Sequence, residues 1–350
     1  MNGGQAPFLE SSSDYFVGRR GRLKRYLVCA MAGYFPVQVR HADDTLSAVL
    51  RTGAPHLGVT GTLSITHSSD GGRAWSDAVP LWPRFHDVRN PALGINAAGE
   101  LVVAAWRLAD PGVPASRALF TRVGDAGGAE WAAPVEYAST LVSRPSPYGR
   151  MVSEPDGTLL MSIYGAPAVA RPGVRHVCAL ARSTDGGRSW GDESLVAEGF
   201  NEASYARLPD GRLLCAARSE EKDASVAVLT SVDRGRTWSA PQPVTRAGEH
   251  PADLTVLGSG AVLLTFGRRV RPLGCGALIS RDGGASWERD REVLLAADGV
   301  ETADLGYPST VELSDGRIVT LMYYASGSEA TALNWGAVSC QAIHYSEKDL

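Results

Sequence analysis

Nine polar side chains could carry chemistry in this chain: His56, Asp87, Arg89, Glu202, Arg218, Arg268, Arg271, Asp304 and Tyr307. An arginine presents a planar fork that matches a carboxylate with two parallel N–H bonds. Several arginines facing one space repel each other unless an anion lies among them. Arg89, Arg218, Arg268 and Arg271 therefore point to an acidic ligand. His56, an imidazole, and Asp87, a carboxylate, are the groups suited to moving a proton. No CxxC, no Cys/His zinc spacing and no glycine-rich phosphate loop ahead of a helix accompanies them. Neither a metal nor a cofactor is expected.

These residues are scattered over the sequence, so the fold must gather them. The motif Ser-x-Asp-x-Gly-x-x-Trp occurs with its aspartate at Asp70, Asp185, Asp233 and Asp282, and a worn copy runs from Asp125 to Trp131. A period of about 50 residues, carried by short apolar runs between Gly- and Asp-rich turns, indicates a β-propeller. The Asp can accept backbone N–H groups across a tight turn, the Gly can adopt positive φ, and the Trp ring is expected to bury between adjacent sheets. Five equivalent turns cannot all be the active site, so the boxes are read as structural. Six strand–turn–strand units predict an all-β, six-bladed propeller over residues 23–350, after an extension at 1–22. The apolar stretch Leu23–Ala30 has no blade of its own and is expected to close the last one, leaving no open seam. With the box turns on one face, the loops entering each blade lie on the other, and all nine residues fall there or at adjoining strand ends.

At this level the chain resembles the sialidase (neuraminidase) superfamily with Asp-box repeats. Gly306-Tyr307-Pro308-Ser309 is similar to the segment carrying that family's nucleophilic tyrosine. Asn201-Glu202-Ala-Ser followed by LPDGRLLCAAR is similar to the segment with its glutamate partner and a carboxylate-binding arginine. The resemblance implies Tyr307 as nucleophile or general base, Glu202 as its proton acceptor, Arg218 as an anion clamp, and Arg271 or Arg268 as a further clamp residue. Two parts of the family pattern are absent. The segment that holds the family's first arginine reads Gly33-Tyr34-Phe35-Pro36, and the loop that holds its acid/base aspartate reads GAPHLGVTG, with His56 and no carboxylate. Tyr323 or Tyr324 stands where a supporting glutamate is expected. Arg89 could supply the missing cation, and Asp87 or His56 the acid, although Asp87 and Arg89 could equally pair with each other.

Three functions follow. The first is a sialidase-like glycoside hydrolase acting exo on a terminal acidic sugar. The second is a non-catalytic carbohydrate-binding or scaffold propeller, and the third a lyase acting on uronate polymers. A carbohydrate partner is common to all but the scaffold. The net charge of −4, from 34 Lys+Arg against 38 Asp+Glu with no basic block, speaks against nucleic acid. No apolar run is long enough for a membrane span. The first sixteen residues lack the charged and apolar regions of a secretory signal, and the five cysteines are widely spaced; a cytoplasmic, reducing location is expected.

Overall fold

The computed structural model describes residues 23–30, 33–56, 60–82, 87–108, 117–297, 302–325 and 338–350. The extension expected at 1–22 lies outside them. The described chain is all-β: twenty-four strands, numbered in chain order, with two single-turn 3₁₀ segments at Arg289–Arg291 and Glu347–Asp349. Strand β1 (Lys24–Ala30) stands first. The rest form antiparallel meanders that open with β2 (Tyr34–Arg40), β6 (Val88–Ile95), β10 (Val142–Ser153), β14 (Phe200–Arg207), β18 (Glu249–Val256) and β22 (Gly306–Glu312). The first five meanders have four strands each. The last has three and is completed by β1, which pairs antiparallel with β24 (Val338–Ser346), as expected for Leu23–Ala30.

The arrangement is propeller-like. The six opening strands touch in cyclic order, and β22 returns to β2. Only β6 and β10 are joined by main-chain pairing, through the parallel pairs Gly149↔Ala92 and Arg150↔Leu93, which merge two meanders into one eight-stranded sheet. Apolar clusters fill the spaces between successive meanders. In one, Leu46, Ala48 and Leu50 pack on Val311, Val319 and Ala342, sealing the two ends of the chain. These strands are apolar on both faces because each sheet is covered on both sides.

The boxes fold as their residue types require. In the first, Ser68 Oγ donates to Asp70 at 2.9 Å and accepts the Gly72 N–H at 2.8 Å. Asp70 also accepts the N–H groups of Arg73 and Ala74. Gly72 and Gly187 lie at φ near 90°, and a side chain there would crowd Val319 or strike Val102 of the neighbouring meander. The Trp rings depart from expectation. They lie at the edge of the inter-sheet cores and are only half-buried, because each indole N–H of Trp75, Trp190 and Trp238 turns back to the carbonyl of its own box glycine. Trp190→Ala is therefore expected to cost about 2–3 kcal/mol, below the 3–5 of a fully buried aromatic. Denaturant titration measures it; a loss above about 4 kcal/mol would mean that the ring buries more than its half-exposed position allows.

Candidate active site

Each opening strand breaks register once near its start. The slips fall between Tyr34 and Val37, Arg89 and Ala92, Ser143 and Ser146, Asn201 and Ser204, Glu249 and Ala252, and Gly306 and Ser309. A β-bulge re-aims the residue it inserts. The residues so placed are Phe35, Asn90, Arg144, Glu202, His250 and Tyr307. Five are followed by proline, which lacks a ladder donor and is tolerated at a bulge. Phe35, Asn90, Arg144, Glu202 and Tyr307 all have positive φ, between 39° and 54°. A non-glycine residue held there costs about 1–3 kcal/mol, so the fold retains a strained ring of side chains at one end of its central axis.

Two members of that ring share a hydrogen bond. The Tyr307 hydroxyl donates to Glu202 Oε1 at 2.6 Å, and Arg218 Nη1, at the end of β15 (Leu213–Ser219), donates to Glu202 Oε2 at 2.7 Å. The Glu202 side chain is 7% exposed. Burial, reinforced by the negative charge of Glu202, pushes the Tyr307 hydroxyl well above its usual range, while Arg269 and Arg218 pull it down. Tyr307 thus needs both the adjacent base and the adjacent cations to become a phenolate. Arg269 supplies a cation 5.7 Å from the Tyr307 ring centre. Its Nε and Nη2 atoms are buried without a hydrogen-bond partner among the described residues. His250 lies in the same group, and burial together with Arg218 and Arg269 pushes its imidazole down to about 3, so it stays neutral.

The sequence pointed to the neighbours of Arg269 instead. Arg268 ends β19 (Val262–Arg268), binds Glu292 at 3.0 Å and lies 3.8 Å from Glu249, while Arg271 is exposed. Neither touches Tyr307 or Glu202. Side chains alternate along a strand, so of these adjacent arginines the one after the strand end, Arg269, reaches the tyrosine.

On the other side of Tyr307 stands Phe35, edge-on at 4.7 Å between ring centres, in the segment where the resemblance led to an arginine. Phe35 also meets His56 edge-on at 4.9 Å. His56 Nδ1 lies 2.8 Å from Asp304 Oδ1, and the same oxygen accepts the Tyr323 hydroxyl at 2.6 Å. Tyr323 stacks on Tyr307 at 5.8 Å. Burial works against the Asp304 carboxylate, but His56, Tyr323 and the Arg269 charge together hold its pKa below the usual range. With Nδ1 bound to a carboxylate, the His56 tautomer is set and Nε2 is the atom left to exchange a proton.

Asp87 is enclosed by two arginines. Its side chain, 4% exposed, is held between Arg51 Nη2 at 3.0 Å and Arg89 Nε at 2.9 Å. Arg89 also donates to the His56 carbonyl at 3.0 Å, so this pair braces the His56 loop. Below Tyr307 the axis narrows to a cavity of about 20 Å³ lined by Phe35, Asn90, Tyr148 and Asp253. No group of metal-ligating side chains occurs among the described residues, and no helix among them is long and apolar enough to cross a membrane. All five cysteines are free thiols.

Comparison with known proteins agrees with this architecture. The BNR repeat-like domain model matches residues 117–321. A sialidase of Bacteroides fragilis is 25% identical, with 84% of this chain aligned, and the chain spans 63% of that relative's length. Among solved structures, a protein of unknown function from Dyadobacter fermentans superposes with a TM-score of 0.73 at 21% identity, covering 91% of this chain and 97% of its own. A Hadza microbial sialidase superposes with a TM-score of 0.71 at 19% identity, covering 93% and 69%. A repeat model matched over more than half of the chain, on a propeller-like all-β fold with Asp boxes, makes this protein a member of the BNR repeat-like domain family within the sialidase superfamily.

Proposed function

We propose that this chain is a sialidase-like glycoside hydrolase that removes a terminal acidic sugar. Its body is a single six-bladed propeller over residues 23–350, the eight-stranded sheet counting as two blades joined at β6 and β10. The observation that carries the reading is the contact of Tyr307 with Glu202 at 2.6 Å, with Arg218 on the other carboxylate oxygen. Glu202 takes the hydroxyl proton as the Tyr307 oxygen bonds to the anomeric carbon. The electron pair of the broken glycosidic bond leaves on the aglycone oxygen, which is protonated by His56, positioned by Asp304. Water then gives a proton to His56 Nε2 and bonds to the anomeric carbon as the bond from that carbon to the Tyr307 oxygen breaks, and Glu202 returns its proton to the tyrosine oxygen, releasing the sugar and restoring the site. Tyrosine suits a substrate that carries its own carboxylate, and Arg269, whose Nε and Nη2 have no partner among the described residues, is suited to bind that carboxylate.

Chromogenic glycosides and uronate polymers, assayed with mass detection of products, test the reading. Addition of water to a terminal acidic sugar supports it. An unsaturated product would establish elimination, and absence of turnover across the panel would leave a binding module. The role of His56 has its own signature. His56→Asn is expected to reduce kcat on natural glycans by about a hundredfold, and much less on aryl glycosides whose leaving group needs no proton. Equal loss on both would remove His56 as the acid.

A further inference from the structure

Beside the Tyr307 cavity opens a second cleft, of about 620 Å³, which shares Phe35 and Asn90 with it and is also lined by His56. That volume is ample for a further sugar residue. Its polar lining is one-sided. Arg89, Arg117 and Arg144 face it, and the one carboxylate among its described lining residues is Asp87, already held by Arg51 and Arg89. Arg117 and Arg89 lie 4.6 Å and 5.5 Å from the Trp106 ring. Arg117 Nη2 binds Ser146 Oγ, while its Nε is buried with no hydrogen-bond partner among the described residues. Arg144 is one of the strained bulge residues and is exposed, with no ion pair among the described residues. Burial, with the charges of Arg144 and Arg89, lowers the affinity of Arg117 for its proton, opposed by Tyr164. Like charges gathered against an aromatic wall are stabilised when an anion enters.

We propose that this cleft is a leaving-group subsite, in which Arg117 and Arg144 bind the carboxylate of a second acidic sugar while Trp106 carries its ring. The substrate would then be an acidic oligosaccharide with negative charge on both sides of the scissile bond. The inference rests on the hydrolase reading for its place in the reaction, since His56 lies between the two sites, but not for its anion.

Two measurements separate the claims. The first is titration with sodium sulfate against sodium chloride at equal ionic strength, following tryptophan fluorescence. A saturable change that disappears in Trp106→Phe and weakens about tenfold in the Arg117→Gln/Arg144→Gln double variant, yet persists in Tyr307→Phe, is expected. An unsaturable response, or one indifferent to the double variant, overturns the subsite. The second compares α2,8-linked disialic acid with α2,3-sialyllactose. The ratio of their kcat/KM values is expected to fall about tenfold in the double variant, and an unchanged ratio also overturns the proposal. If neither glycan is cleaved, the hydrolase reading loses its sugar while the sulfate titration still decides the subsite.

Discussion

Replacing Tyr307 by phenylalanine is expected to lower turnover by about three orders of magnitude or more, the scale on which loss of a nucleophile acts, and to leave stability nearly intact. The ring makes the packing contacts: it lies edge-on to Phe35, stacks on Tyr323 and sits beneath Arg269. Phenylalanine retains all of these. What is lost is one hydrogen bond, worth about 1 kcal/mol net, and Glu202 keeps Arg218 as a partner. The positive φ at position 307 is unchanged in kind, since both residues are bulky aromatics. Steady-state kinetics on the glycoside that gives turnover, read beside thermal unfolding, checks both halves. A variant with near-normal melting and less than a tenfold drop in kcat would show that the hydroxyl does no chemistry. The reacting group would then have to be sought around His56 and Asp304.

The sequence made the repeats legible because box residues are dictated locally. A Ser, an Asp, a Gly with positive φ and a Trp within eight residues satisfy one another's hydrogen bonds without help from the rest of the chain. Closure by Leu23–Ala30 was legible for the same kind of reason: an apolar strand without a sheet must find one. Tyr307 and Glu202, 105 residues apart, came from resemblance and not from spacing.

Three features of the site stayed hidden. The choice of Arg269 over Arg268 and Arg271 depends on where β19 ends, and a shift of one residue exchanges the faces. The bond from His56 to Asp304 spans 248 positions and has no local signature. The third feature did leave a trace. Pro36, Pro91, Pro145, Pro251 and Pro308 each follow a bulge residue at the start of an opening strand. Proline inside an apolar run argues against a regular ladder; its recurrence at the box period marks the ring of side chains from which the site is drawn. Asp87 shows the reverse failure. A carboxylate in a loop beside an arginine reads as an acid, until a second arginine, Arg51 on a neighbouring strand, closes on it.

The second large effect lies beneath the site. Asp253→Ala is expected to destabilise the protein by about 3–5 kcal/mol, the cost of leaving a buried ion without its partner. Asp253 is 2% exposed and joins four of the opening strands. It accepts Arg150 Nη2 of β10 at 3.0 Å, Ser204 Oγ of β14 at 2.9 Å and the Thr310 N–H of β22 at 2.7 Å, from its own place on β18. The same Arg150 nitrogen also donates to the Leu254 carbonyl at 2.6 Å and Thr255 Oγ1 at 2.9 Å, bonds that tether the guanidinium in place when the carboxylate is removed. Against a typical stability of about 5–15 kcal/mol, the loss is large enough to appear as a clear drop in the urea midpoint at constant slope. Asp253→Asn separates charge from shape. The amide oxygen can still accept from Ser204 or Thr310 but cannot neutralise Arg150, so most of the loss should remain. A loss below about 1 kcal/mol in both variants would mean that Arg150 is stabilised by its carbonyl and hydroxyl partners alone. If the asparagine variant is stable and the alanine variant is not, shape and hydrogen bonding hold the axis, not the ion pair.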